Sequence, residues 1–101
     1  MLEMRQISAI SSANPADNEI LELLVIFMEE CSECSIEASK LIRFGIDSVE
    51  NLFKLKKEVG DLLFMIGLLK DYGIVEHDPE LDEFIESKRT KLKTWSNLSQ
   101  L

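Results

Sequence analysis

Apolar residues recur along the chain in steps of three and four. Ile20, Leu24, Phe27, Cys31, Cys34, Ala38 and Leu41 form one series, and Leu52, Leu55, Val59, Leu62, Ile66 and Leu69 a second. Such steps gather side chains on one face of an α-helix, so each series predicts a long helix with a continuous apolar seam. The ends are marked as well. "NPAD" predicts a start with Asn14 as N-cap, Pro15 at the first helical position and Asp17 in the acid-favouring first turn. Gly45 predicts a stop after Phe44. Asp47 and Glu50 predict a capping box for the second helix, and Gly73 its end. "HDPE" predicts a third helix, with Asp78 as cap and Pro79 at its first position, carrying Leu81, Phe84, Ile85, Leu92 and Trp95. No stretch alternates with period two, so the fold class is all-α.

Length bears on assembly. A helix from Pro15 to Phe44 spans roughly 45 Å, whereas a compact chain of about 100 residues has a radius of gyration near 13 Å. Two such seams in an antiparallel hairpin need more cover than one copy supplies. The expectation is a four-helix-bundle-type homodimer or homotetramer, the third helix packed outside or across the partner. Residues 1–13 read as an N-terminal arm, docked through Ile7 and Ile10, and residues 14–101 as one all-α domain.

Charge narrows the partners. The formal net charge of −8 argues against nucleic acid or an anionic membrane, both of which need a basic surface. The first residues hold no apolar signal core, and no run reaches about 18 apolar residues, which predicts a soluble, cytoplasmic protein. Cys31 and Cys34 give no disulfide framework. They lie mid-helix on the seam, among glutamates that raise a thiol pKa, and His77 is the only histidine to join them on zinc. Packing is the expected role of the cysteines, and a place in the turn that of His77.

The acidic residues form a pattern on the same helices. Taking the first seam as reference, Glu30 lies about 70° from it, Glu37 about 90°, Glu33 about 130°, and Glu29 almost opposite. Glu30, Glu33 and Glu37 form a stripe along the border of the core, continued by Lys40. On the second helix Glu58 and Asp61, three apart, share a face beside the other seam. Such carboxylates can be ordinary solvated faces, with Lys54 and Lys57 as i, i+4 partners of Glu58 and Asp61. Two acidic pairs on adjacent helices of one hairpin nevertheless repel unless a cation neutralises them. Oxygen-only anionic ligands suit Mg²⁺ or Mn²⁺ rather than zinc.

Glu29-Glu30-x-x-Glu33, followed after 24 residues by Glu58-x-x-Asp61, resembles the EExxE…ExxD signature of MazG-like, all-α nucleoside triphosphate pyrophosphohydrolases. "LKKEVGDLLF" resembles that family's second helix. "EECSECSIEASKLIRFG", Asn51 and the terminal "KRTKLKTW" are most similar to its short bacteriophage versions, which would place the protein in a host cytoplasm. The similarity covers roughly residues 18 to 95. It implies Mg²⁺-dependent hydrolysis of NTPs, dNTPs included, to nucleoside monophosphate and pyrophosphate by water attack at the α-phosphorus. By motif position it implies Glu30, Glu33, Glu58 and Asp61 as metal ligands, with Glu29, Glu33 or Glu37 orienting the water. Lys40, Arg43, Asn51, Lys54, Lys88, Lys91 and Trp95 are the candidate substrate contacts, Lys88 and Lys91 foremost for phosphate. A basic helix end that complements its dipole, a capping Asn51 and a core Trp95 are the plainer roles for these residues. Two alternatives stand beside the pyrophosphohydrolase: a non-catalytic helical dimer acting as adaptor or regulator, and a superfamily relative acting on phosphoribosyl-ATP or dUTP.

Overall fold

The computed structural model describes residues 15–101, so the N-terminal arm and the Asn14 cap lie outside the described residues. Three helices follow one another: α1 (Pro15–Phe44), α2 (Val49–Asp71) and α3 (Pro79–Trp95). No strand occurs among the described residues, and none of their helices is long and apolar enough to cross a membrane.

α1 carries Asp17 in its first turn and Arg43 in its last, each complementing the helix dipole. It stops where Gly45, at φ 118°, donates its N–H to the Leu41 carbonyl at 3.0 Å. The turn runs one residue further than the expected capping box allows. Ser48, not Asp47, caps α2, its hydroxyl accepting the Asn51 N–H at 3.3 Å. Asp47 stays inside the turn, where its Oδ1 would lie 3.2 Å from any Cβ placed on Gly45. Glu50 is thereby free of the box and pairs with Lys54 at 3.1 Å. α2 ends in a Schellman motif: Gly73, at φ 70°, donates to Lys70 O at 3.0 Å, and Ile74 to Leu69 O at 2.9 Å. The Tyr72 hydroxyl donates to the Glu19 carboxylate, tying the end of α2 to the start of α1.

α1 and α2 form an antiparallel hairpin around Leu23, Met65 and Leu69, with Leu24, Ile26, Phe27, Leu68 and Val75 packed about them. The inward line keeps Leu24, Phe27, Leu41 and Leu69 of the expected seam but departs from it elsewhere. Met65 is buried rather than Ile66, Glu58 rather than Val59 faces inward, and Glu37 is buried at 8% exposure while Cys31 is exposed. Each helix carries an apolar stripe wider than a single helix contact, and the two meet along one edge of it. The residue following each inward residue lies about 100° further round its helix. Because the helices run antiparallel, these displacements open on the same side of the hairpin. That side carries Leu24, Cys31 and Ala38 from α1 and Leu52, Val59 and Leu63 from α2, with Asp17, Lys56 and Lys70 as its charged members. The opposite side carries Glu22, Glu29 and Glu33 from α1 and Lys57, Asp61 and Phe64 from α2.

α3 begins as expected, with Asp78 Oδ1 accepting the Leu81 N–H at 2.9 Å and Pro79 in the first turn. It has no buried residue, and none of its Cα atoms comes within 8 Å of one in α1 or α2. The radius of gyration is accordingly 16.8 Å, against about 13 Å for a compact chain of this length.

Met65 anchors the hairpin core, so Met65→Ala should cost about 2–5 kcal/mol in chemical denaturation. A loss below about 1 kcal/mol would show that the inward line runs elsewhere.

Candidate metal centre

The register that joins Leu23 to Met65 and Leu69 determines what meets two turns away. Seven residues along α1 from Leu23 is Glu30, and seven and eight back along α2 from Met65 and Leu69 are Glu58 and Asp61. Seven residues nearly complete two turns and return to the same face. One carboxylate oxygen from each of Glu30, Glu58 and Asp61 lies within 4.8 Å of the others. The cluster is graded in exposure: Glu30 is half-buried, the Glu58 side chain 15% exposed and that of Asp61 47% exposed. Glu30 Oε2 is inaccessible to solvent and accepts no hydrogen bond.

The electrostatics follow from this packing. Burial, then the charges of Asp61, Glu58, Glu33 and Glu29, pushes the Glu30 carboxyl above its ordinary range. The Lys57 ammonium lies 3.6 Å from both Glu58 and Asp61, whose charges raise its pKa and hold it cationic. Burial and the same carboxylates push the Cys34 thiol up, so it stays protonated and a poor metal ligand beside the cluster. What remains is a set of hard oxygen donors with excess negative charge, suited to an oxygen-seeking divalent cation.

The other candidate residues divide by position. Glu33, expected as a fourth ligand, lies outside the group of three but close enough for its charge to act on Glu30. Glu29 lies on the same side of the hairpin as Asp61, away from the side that carries Leu24 and Val59. Glu37, two turns beyond Glu30, is buried, with Oε1 held by Lys40 at 3.1 Å and Oε2 unpartnered. By register it stands level with Asn51 and Lys54. Asn51 offers its backbone N–H to the Ser48 cap, and Lys54 pairs with Glu50 rather than Glu58. Arg43 lies over the Phe44 ring at 5.1 Å.

Lys88, Lys91 and Trp95 are not brought to the cluster within one chain, because no Cα atom of α3 comes within 8 Å of either helix of the hairpin. Trp95 is 84% exposed, which removes the core role for it within one copy. His77 pairs with Asp82 at 2.8 Å at the start of α3, in keeping with a turn role. Lys57 is the residue the sequence pattern undervalued. Its i, i+4 relation to Asp61 was legible, but that it also reaches Glu58 depends on the rotation of α2.

Neither family models, nor curated proteins, nor solved structures give any match to this chain.

A carboxyl whose folded pKa exceeds its ordinary 4.5 binds its proton more tightly in the folded state. Its contribution to stability is complete below the unfolded value and is lost as pH rises through the folded one. Glu30→Gln is neutral throughout. With chelator present, its melting temperature relative to wild type should therefore climb as pH rises from the ordinary 4.5 through the raised folded value. A difference independent of pH would mean that Glu30 ionises unhindered.

Proposed function

We propose that the chain is a Mg²⁺-dependent nucleoside triphosphate pyrophosphohydrolase of the MazG-like kind, taking NTPs and dNTPs to nucleoside monophosphate and pyrophosphate. The observation that carries this reading is the meeting of Glu30, Glu58 and Asp61, with one Glu30 oxygen buried and unpartnered. Three carboxylates and no nitrogen or sulfur ligand fit a hard divalent cation, with Mn²⁺ as a substitute for Mg²⁺. When bound, the cation supplies charge to the triphosphate oxygens and lowers the pKa of coordinated water.

The chain's own residues would do the rest. Glu30, Glu58 and Asp61 hold the cation, and Glu33 completes the acidic field around it. Glu29, Glu33 or Glu37 orients the attacking water and takes its proton. The water oxygen bonds to the α-phosphorus, the bond from that phosphorus to the bridging oxygen breaks, and pyrophosphate leaves. Lys57, held cationic next to the cluster, is the best-placed phosphate contact on the hairpin. Lys54, paired with Glu50, is a weaker one.

The same proposal includes self-association through the side of the hairpin that carries Leu24, Cys31, Val59 and Leu63. Exposed Leu52, Val59 and Leu63 support it, since another hairpin laid on this side would complete a four-helix core. That exposed surface is equally what a non-catalytic helical adaptor would use, so activity must separate the two readings.

Glu58→Gln keeps the size and helix propensity of the residue while removing its charge. With a panel of NTPs and dNTPs at saturating Mg²⁺, pyrophosphate release should fall by at least about a hundredfold, roughly 2.7 kcal/mol of transition-state stabilisation. Lys54→Gln should change it much less, and circular dichroism should show both variants helical. Full activity in Glu58→Gln, or no Mg²⁺-dependent release by wild type, would leave the adaptor.

A further inference from the structure

α3 is an amphipathic helix that the described hairpin helices leave unburied. Leu81, Ile85, Lys88, Leu92 and Trp95 follow steps of four, three, four and three, a single heptad stripe, with Phe84 beside it. Phe84 is 63% and Ile85 47% exposed, and no Cα atom of α1 or α2 comes within 8 Å of one in α3. An isolated helix of about this length is marginal in water, so the stripe calls for a cover.

The charges on and around the stripe decide what that cover is. Lys88 sits within the stripe and Lys91 one turn along, so whatever buries the apolar residues must answer a cation at their centre. The rest of the helix is divided, with Glu80, Asp82, Glu83 and Glu86 before Lys88, and Arg89, Lys91 and Lys93 after it. An antiparallel pair of α3 helices would match acidic to basic halves. A stripe centred on Lys88 would, however, set that lysine against its own copy on the two-fold axis. The side of the hairpin that carries Leu24 and Val59 offers Lys88 one carboxylate, Asp17 at its end, against the like charges of Lys56 and Lys70.

The opposite side supplies both requirements. There Ile26 and Leu68 line an open groove of about 390 Å³, with Phe64 and Tyr72 along one wall and Glu19 and Glu22 along the other. Further along the same side stand Glu29, Glu33 and Asp61, where the acidic cluster opens. Residues 15–71 carry twelve acidic and six basic side chains, a net charge of −6, whereas residues 87–95 carry four basic and no acidic ones.

We propose that this acidic groove is the docking site for α3 of a second copy, whose Ile85, Leu92 and Trp95 fill it while Lys88 and Lys91 face the hairpin's carboxylates. The site is then completed by its neighbour. The phosphate-binding lysines that one chain leaves away from the Glu30–Glu58–Asp61 cluster arrive from the partner. The docking rests on the proposed self-association, and the role of the lysines rests on the proposed nucleotide chemistry.

Two measurements on the full chain test it. Ile85→Glu with Trp95→Glu alters exposed positions on a helix that has no buried residue, so the hairpin should keep its helicity. In sedimentation the variant should form a smaller assembly than wild type, or associate at least about tenfold more weakly. Separately, light and ¹⁵N-labelled wild-type copies are unfolded together, refolded and treated with a carbodiimide, which joins lysine amines to carboxylates. Links from Lys88, Lys91 or Lys93 to Glu22, Glu29, Glu33 or Asp61 should form, about half of them joining light to heavy chains. A wild-type mass of 11.6 kDa would defeat self-association itself. Unchanged association of the variant, or links confined to chains of one label, would overturn the α3 docking and leave self-association standing. Links from one α3 to another would overturn it in favour of the helix pair.

Discussion

Like charges packed between two helices repel one another, and the hairpin holds that repulsion in place at Glu30, Glu58 and Asp61. It can do so because Leu23, Met65 and Leu69 lock the register two turns away, and a long helix transmits that register without slack. Sliding one helix by a turn to separate the carboxylates would take the buried leucines and Met65 out of contact. The apolar core therefore maintains an electrostatic arrangement that is unfavourable by itself. The cost appears in the Glu30 carboxyl, whose pKa is raised chiefly by burial and then by its acidic neighbours. Positioning a charged cluster on two packed helices, rather than on loops, is what a precise binding centre requires.

From the same rotation of the helices comes a hairpin with two unlike sides. One is largely apolar, and the other presents acidic side chains around an apolar groove. A helix pair this asymmetric has two different surfaces to satisfy, and α3, amphipathic and with no Cα atom within 8 Å of the hairpin helices, is a third. Association of copies would meet all three requirements with one sequence. It would also place cations beside a cluster whose only cationic neighbour on its own α2 is the exposed Lys57.

Much of this was legible in the residues, and what was not has a common origin. The starts and stops at Pro15, Gly45, Gly73, Asp78 and Pro79 are local backbone chemistry, independent of what packs where. The capping box was misplaced because Asp47 and Ser48 are both competent caps, and only the length of the turn chooses between them. The seams were drawn through the most apolar positions. Helices in one hairpin can meet along an edge of a wide stripe, so Glu37, Glu58 and Met65 took inward places assigned to Ala38, Val59 and Ile66. For the same reason the meeting of Glu30, Glu58 and Asp61 was legible as a motif, but the burial of Glu37 and the double contact of Lys57 were not. Where α3 goes was beyond reach, since neither helix of the hairpin buries any of its residues.

The proposed role of Glu30, Glu58 and Asp61 as a divalent-cation site is tested most directly by binding. Calorimetric titration of Mg²⁺ into wild type and into Glu30→Gln with Asp61→Asn, at one pH and ionic strength, isolates the cluster from general screening. Wild type should bind Mg²⁺ saturably and gain melting temperature in step with occupancy, while the double variant shows neither. Equal heats and equal thermal gains in both proteins would contradict the account, because the ions would then be acting on the acidic surface at large.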